Sequence, residues 1–397
     1  MIDLKILPAS YGDCFLLTIK DKEKNINILI DGGLAQTYDR YLKQLLRELG
    51  KKGEKLDIVI NTHIDSDHIK GLISFLKDNN KDKFIEIGDF WFNGLEQIIS
   101  NYPNTESKSD IKDEKIIDNI IRKGYEDEFQ QTEEISLKEG VSLSGLIEYG
   151  GYNHNKVSGG KAIIDVLDNV KVSENVSIKI IAPNKDDLIR LEAKWFDELE
   201  SKNFYFTTPK SEKLMTSFEF LVSRLKTYYD SFKSKVSSAE DIGLYLSELD
   251  KEDTSMVNGS SVAFVLEVYD KKFLFLGDAI VKDREKCKII QNLIDEYGDN
   301  LEFELIKLPH HGSNCNITKD FINLTNAKEY IISTNSGRHG HPDLDVIANL
   351  ITKKNKKTFI FNYKVKQATL VDKEKWKTKY KYEVIVGNGN EIIERRY

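Results

Sequence analysis

The segment Asn61-Thr62-His63-Ile64-Asp65-Ser66-Asp67-His68 decides how this 397-residue chain reads. Four side chains able to bind a metal ion, His63, Asp65, Asp67 and His68, fall within six residues. An extended loop places His63, Asp65 and Asp67 on one side, because alternate side chains share a face. His68 is expected to open a helix whose Ile69, Leu72, Ile73 and Leu76 pack inward. Just upstream, Leu56–Ile60 reads as a buried strand that delivers the cluster at its end. A helix cap explains Asp67 alone, since capping needs one acid and leaves His63 and Asp65 unaccounted for. Imidazole and carboxylate together suit zinc, manganese or iron.

Further out, strands are expected at Ile2–Leu7, Cys14–Lys20 and Ile26–Ile30, the last closing on Asp31-Gly32-Gly33. Tyr38–Leu49 carries apolar residues at helical spacing and ends at Gly50. Strand, helix and strand followed by a polar cluster is an α/β arrangement. Between about residues 93 and 257 the character changes. Charged helical stretches, Asp113–Lys123 and Lys213–Phe232, flank one clear strand at Val176–Ile181. The aromatics Trp91, Phe92, Trp195, Phe196, Phe204, Tyr205 and Phe206 read as core rather than pocket lining. Strands return at Ser261–Tyr269, Phe273–Leu276, Leu305–Leu308, Glu329–Ser333 and Thr358–Tyr363. Tyr382–Val386 and Glu391–Arg395, joined by Gly387-Asn388-Gly389-Asn390, read as a terminal hairpin. The expected organisation is a core half at 1–92, a mostly helical insertion at 93–257 with one core strand near 176–181, and a second core half at 258–397.

Six of the seven histidines fall in three short segments, 63–68, 310–311 and 339–341, each after an expected strand. Histidines kept for structure would scatter, as His154 does. Asp278 ends the apolar run Phe273–Gly277, where a carboxylate can bridge or orient metals. His310-His311-Gly312-Ser313 follows Leu308-Pro309 in the same way. Adjacent residues point differently, so one histidine of the pair is expected on metal and the other on substrate or a supporting contact.

Composition fits a globular protein, with 40% hydrophobic and 31% charged residues. No apolar run approaches the roughly 18 residues of a spanning helix, and no signal-peptide pattern opens the chain. Cys14, Cys287 and Cys315 are odd in number and lack C-x-x-C spacing, which argues against a disulfide framework and fits a reducing cytoplasm. The net charge of −7 conceals an asymmetry: residues 351–397 hold 13 Lys/Arg against 5 Asp/Glu, leaving the first 350 residues at −15. A basic segment beside an acidic body can guide a phosphate backbone, but the overall acidity argues against tight sequence-independent nucleic-acid binding.

In order, Asp31-Gly32-Gly33, His63-x-Asp65-x-Asp67-His68, Gly277-Asp278 and Pro309-His310-His311-Gly312-Ser313 resemble the metallo-β-lactamase superfamily. More narrowly they resemble the C-terminal hydrolase domain of ComEC-type competence proteins and their free-standing bacterial relatives. Tyr11-Gly12-Asp13-Cys14, Asn258-Gly259-Ser260-Ser261-Val262 and Gly340-His341-Pro342 support the match, which covers roughly 1–90 and 258–397. The resemblance implies a four-layer αβ/βα sandwich with the metal site where the loops of two sheets meet. Carried over by position, His63 and Asp65 belong to a first metal, Asp67 and His68 to a second, Asp278 bridges, and His310 or His311 completes the set. Asp65 stands where many members have histidine, and Asn258–Ser261 occupies the place of the usual middle histidine. The first position is therefore expected to be weaker, and the added oxygen shifts preference from zinc toward manganese or magnesium.

These residues lead to a metal-dependent hydrolase, with one or two divalent ions and a phosphodiester, nucleic acid included, as the expected substrate. Asp67 is expected to orient the attacking water, and His341 or His311 to steady developing charge or protonate the leaving oxygen. The same centre suits a carboxyl ester, lactone or amide. A third reading is a scaffold or effector with a vestigial site, in which residues 93–257 dock a protein partner.

Overall fold

The computed structural model describes residues 1–22, 24–99, 142–201, 212–222, 241–249, 251–282 and 288–397. Two sheets form its centre. The first has six strands in the order β14-β1-β2-β3-β4-β5: β1 (Ile2–Ile6), β2 (Phe15–Asp21), β3 (Lys24–Ile30), β4 (Leu56–Ile60), β5 (Ile87–Trp91) and β14 (Ile393–Arg396). The second has eight, in the order β13-β12-β11-β10-β9-β8-β7-β6. Its strands are β6 (Val170–Lys171), β7 (Val176–Ala182), β8 (Ala263–Val268), β9 (Lys271–Phe275), β10 (Leu301–Lys307), β11 (Thr325–Ile332), β12 (Lys357–Phe361) and β13 (Tyr382–Val386).

Alternation along each strand sorts side chains between two layers of core. Ile28 and Ile30 of β3 point between the sheets, where they meet Phe264, Leu266 and Phe275, while Leu29 faces the helices outside. On β8, Ala263 and Val265 face outward in the same way. Helices Lys43–Lys51 and Ser66–Asp82 cover the first sheet, and Lys288–Tyr297 and Leu344–Thr352 cover the second. The result is a helix–sheet–sheet–helix sandwich of mixed α/β class, the architecture expected from the sequence. Strands buried on both faces explain why β3, β4 and β12 each end in an apolar run, Ile28–Ile30, Ile58–Ile60 and Phe359–Phe361.

Helices Leu143–Gly150, Lys185–Ser201 and Glu212–Val222 extend the outer core of the first sheet through Leu146, Leu191, Trp195 and Phe218. Glu219 fastens two of them by accepting the backbone N–H groups of Leu143 (2.6 Å) and Ser144 (2.9 Å). Trp91, Phe92 and Trp195 are buried core residues, and Phe196 packs partly buried beside them. Phe204, Tyr205, Phe206, the Asp113–Lys123 helix and the end of Lys213–Phe232 lie outside the described residues.

The terminal hairpin requires correction. β13 pairs in parallel with β12, whereas β14 crosses to the other sheet and pairs antiparallel with β1. The turn residues at Gly387–Asn390 are there, but each strand pairs with the open edge of a different sheet. The crossing is tied by Glu329 of β11, which accepts from Arg395 and from the Tyr397 hydroxyl. Strand β5 was absent from the sequence expectation. Among the described residues no helix is long and apolar enough to cross a membrane.

Strands β3, β4 and β5 run parallel, as do β9 to β13. The loops after β3, β4, β9, β10 and β11 converge at one end, where the two sheets meet. Val262 N–H donates to Thr62 O across that junction (2.8 Å).

Candidate metal centre

Asp31, at the end of β3 with φ of 53°, organises the floor of the centre. Its carboxylate accepts from Asn61 Nδ2 (3.1 Å), Thr62 N–H (2.7 Å) and Thr62 Oγ1 (2.8 Å), and it contacts His68 Nδ1 at 2.8 Å. A carboxylate acceptor places the His68 proton on Nδ1 and directs Nε2 away from Asp31. Thr62 spends its own proton on Asp31, so His63 Nδ1, 3.0 Å from Thr62 Oγ1, must be the donor there. His310 Nδ1 lies 2.8 Å from Asn316 Oδ1, and Asn316 Nδ2 donates to Asp253 and to Asp278 O. That leaves Asn316 Oδ1 as the acceptor and puts the His310 proton on Nδ1. His311 Nδ1 faces Asp13 Oδ1 at 3.6 Å.

Three rings with Nδ1 so engaged, joined by His311, whose Nδ1 makes no hydrogen bond, aim Nε2 at one oxygen. Asp278 Oδ2 lies 3.8 Å from His63, 3.6 Å from His68, 3.7 Å from His310 and 3.6 Å from His311. These separations are too long for hydrogen bonds. Two ligands at 2.0–2.2 Å from a shared ion in tetrahedral geometry stand about 3.4 Å apart, close to what is seen. Nε2 of His63, His68 and His311 and Oδ1 of Asp278 are buried without a hydrogen-bond partner. Burying such atoms unsatisfied costs roughly 1–3 kcal/mol each, so an arrangement of several calls for a cation.

The remaining donors divide about Asp278. Asp65 Oδ2 is 3.8 Å from His63 Nε2. Asp67 Oδ2 is 3.9 Å from His68 Nε2 and 3.8 Å from His311 Nε2. Asp65 occupies the N-cap of helix Ser66–Asp82, yet its side chain caps nothing, which leaves the carboxylate for another purpose. The helix begins two residues earlier than expected, at Ser66 rather than His68. His63–His68–Asp278, Asp67–His68–His311 and Asp13–Asp278–His311 each bring their ligand atoms within 4.8 Å of one another.

Both members of the histidine pair therefore face the same carboxylate oxygen. Divergence is the rule for extended backbone, but His310 (φ 43°), His311 (φ 57°) and Gly312 (φ 84°) are all left-handed. That sparsely populated turn brings neighbouring side chains to one side, at a strain characteristic of functional sites. His310 joins the cluster through Asp278, its Nε2 3.7 Å from Oδ2. His341 lies at the edge of the cluster, its ring 5.1 Å from that of His310 and its Nδ1 3.3 Å from Asp343 Oδ2. His154 is elsewhere, with Nε2 against Phe92 O at 2.8 Å.

Several partners were not singled out as site residues from sequence. Lys307, buried at 1% side-chain exposure, pairs with Asp13, donates to Gly277 O (2.8 Å) and stands 3.5 Å from Asp278 Oδ1. It thereby sets a positive charge beside Asp278 Oδ1, while Oδ2 faces the imidazoles. The signal was present, since a lysine two residues before Pro309 in an apolar strand needs a buried partner. Asp13 and Asp31 had appeared only as parts of turns.

Charges are correspondingly displaced. Burial, with His68 beside it, holds His63 well below the usual histidine range. Burial opposes charge on His68 too, but Asp278 and Asp31 outweigh it and hold that ring well above. Desolvation and Asp67 push Asp65 up to about 7. Asp13 falls to about 2 because Lys307 and His311 overcome its burial.

The model of the metallo-beta-lactamase superfamily matches residues 7–152. A metallo-beta-lactamase fold protein, YhfI from Bacillus subtilis, is similar at 11% identity and a TM-score of 0.38 over 99% of both chains. A protein of unknown function from Enterococcus faecalis V583 is similar at 10% identity and a TM-score of 0.25, over 97% of this chain and 76% of that one. Comparison with curated proteins finds no significant match. Residues 7–152 are thus similar to the metallo-beta-lactamase superfamily, whose members are mostly metal-dependent hydrolases, and they contribute Asp13, Asp31, His63, Asp67 and His68 to the His/Asp cluster.

Proposed function

We propose that the chain is a metal-dependent phosphodiesterase or nuclease working with two divalent cations. The observation that carries this reading is the convergence of four Nε2 atoms on Asp278 Oδ2. His63, Asp65 and His310 would hold one cation, and Asp67, His68 and His311 the other, with Asp278 shared. Divalent cations in such a site lower the pKa of bound water toward ~7 and polarise the bond to be broken. Three carboxylates among seven ligands favour manganese or zinc over softer ions.

The protein's own contribution is orientation and proton handling. Asp31 and Asn316 lock three rings, and Lys307 fixes Asp278. His341, beside Asp343 and the His310 ring, would pass a proton to the leaving oxygen. With neutral imidazoles the ligand set carries −3, so two divalent cations turn it to +1 and draw in an anion. Exposed Lys364 and Lys366 add charge at the rim, since Gln367 beside them donates to Gly340 O (2.7 Å). This favours a phosphodiester, and nucleic acid as its polymeric form.

Turnover of bis-p-nitrophenyl phosphate and nicking of plasmid DNA, each with added manganese or zinc, provide the test. Wild type should be active and Asp278→Asn at least about 1,000-fold slower, in line with loss of metal-centred catalysis. No turnover with either metal, or undiminished turnover in Asp278→Asn and His68→Ala, sinks the reading. Hydrolysis confined to a parallel ester and lactone panel transfers the chemistry to a carbonyl substrate.

A further inference from the structure

The two oxygens of Asp67 face different ways. Oδ2 looks into the cluster, toward His68 and His311, while Oδ1 lies 3.5 Å from Arg338 Nη1. The guanidinium carbon of Arg338 stands 5.7 Å from the centre of the Tyr11 ring, so the group lies between an aromatic face and the carboxylate. Backbone on either side is pinned. Asn335 N–H donates to Ser10 O (2.8 Å), Asn335 Nδ2 to Ser10 Oγ (2.9 Å), Ser336 Oγ to His341 O and Gln367 Nε2 to Gly340 O (2.7 Å).

A stability role explains little of this. The Arg338 side chain is 44% exposed, and an exposed pair at 3.5 Å contributes close to nothing. Lys307 already neutralises the buried acids from behind, at 1% exposure. Arg338 is instead a cation held open to solvent on the outer side of a ligand carboxylate, with several donors left over. Guanidinium matches the paired oxygens of a phosphoryl group better than a lysine does.

We propose that Arg338, braced by Tyr11 and Asp67, is the residue that grips a non-bridging phosphoryl oxygen of the substrate. This rests on the phosphodiesterase reading, and it names the group that sets preference for phosphoryl over neutral ester substrates. Tyr11 and Asp67 act on Arg338 as positioning residues.

The test uses the full-length, metal-loaded protein, with inorganic phosphate as the binding probe and metal content measured in parallel. Arg338→Ala should weaken phosphate binding by about 10- to 100-fold at unchanged metal content, the range for a lost charge-assisted contact. It should raise KM for bis-p-nitrophenyl phosphate more than it lowers kcat, and Arg338→Lys should recover only part of the loss. Equal phosphate affinity in Arg338→Ala, or no phosphate binding by wild type, overturns the proposal. So does metal loss in Arg338→Ala, which makes Arg338 a support for Asp67 alone. Wild type that binds phosphate through Arg338 but cleaves no phosphodiester defeats the proposed reaction and leaves the grip standing.

Discussion

Asp31 shows how much of the centre depends on a residue placed behind its ligands. Its carboxylate takes three hydrogen bonds from Asn61 and Thr62 and fixes His68 directly and His63 through Thr62. Asp31→Asn keeps the shape but offers one acceptor oxygen and a competing donor. Metal affinity should fall by about 10- to 100-fold, measurable by titration against a chelating dye. An unchanged affinity would mean that the rings are oriented by packing alone. The histidine pair provides a sharper comparison. If each ring serves a different cation, His310→Ala and His311→Ala should each reduce the bound metal from two equivalents to one, read by elemental mass spectrometry. Two equivalents retained in either variant would remove that ring from the ligand set.

At the scale of elements, close approach sets the geometry. A Cβ on Gly12 would stand 1.8 Å from Asp67 O, so the turn before β2 can lie against the start of helix Ser66–Asp82 only because residue 12 has none. Gly12→Ala must push the helix start or the turn aside. The expected cost is about 2 kcal/mol or more, seen in urea unfolding, together with loss of metal. In the helices outside the first sheet, Glu219 caps Leu143–Gly150 from within the core. Burial raises it from the ordinary 4.5 to about 7, against the opposing hydrogen bonds from Ser144 and Leu143. The folded state thus holds this proton more tightly than the unfolded chain. Its contribution to stability is complete below pH 4.5 and lost as pH rises through about 7, an effect of up to about 3 kcal/mol. Glu219→Gln should flatten the fall in unfolding free energy between pH 5 and pH 8. An unaltered slope would show that Glu219 is not the titrating group.

For the whole molecule, the centre joins the two sheets. Its candidate donors come from the loop after β4 on one side and from the ends of β9 and β10 on the other. A cation bound only by the folded chain stabilises by mass action, about 2.7 kcal/mol at a hundredfold excess over Kd. For a chain of this length that corresponds to roughly 3 °C in Tm. Chelation should lower Tm by at least this much, and re-addition of manganese or zinc should restore it. A chelator-insensitive Tm would argue against occupancy in the folded protein.

Much of this was legible in the sequence for a physical reason. Strands buried on both faces leave apolar runs, and the polar residues ending them must sit in loops, so His63–His68, Asp278 and His310-His311 announced both the sandwich and a His/Asp cluster able to hold metal. Partner choice was not legible. The Gly387–Asn390 turn looks local, yet β13 and β14 join different sheets, because pairing is decided by which edges remain open once the chain has folded. The left-handed backbone at His310 and His311 was equally hidden, since it is held by tertiary hydrogen bonds, from His310 N–H to Gly277 O and from Asp343 N–H to Gly312 O, that the local sequence does not show. That turn brings both imidazoles to Asp278 Oδ2. The sequence by itself determined which chemistry collects at the loop ends. Tertiary structure alone decided that four imidazoles share one carboxylate oxygen, that Lys307 sets its charge beside the other, and that Arg338 stands before Asp67.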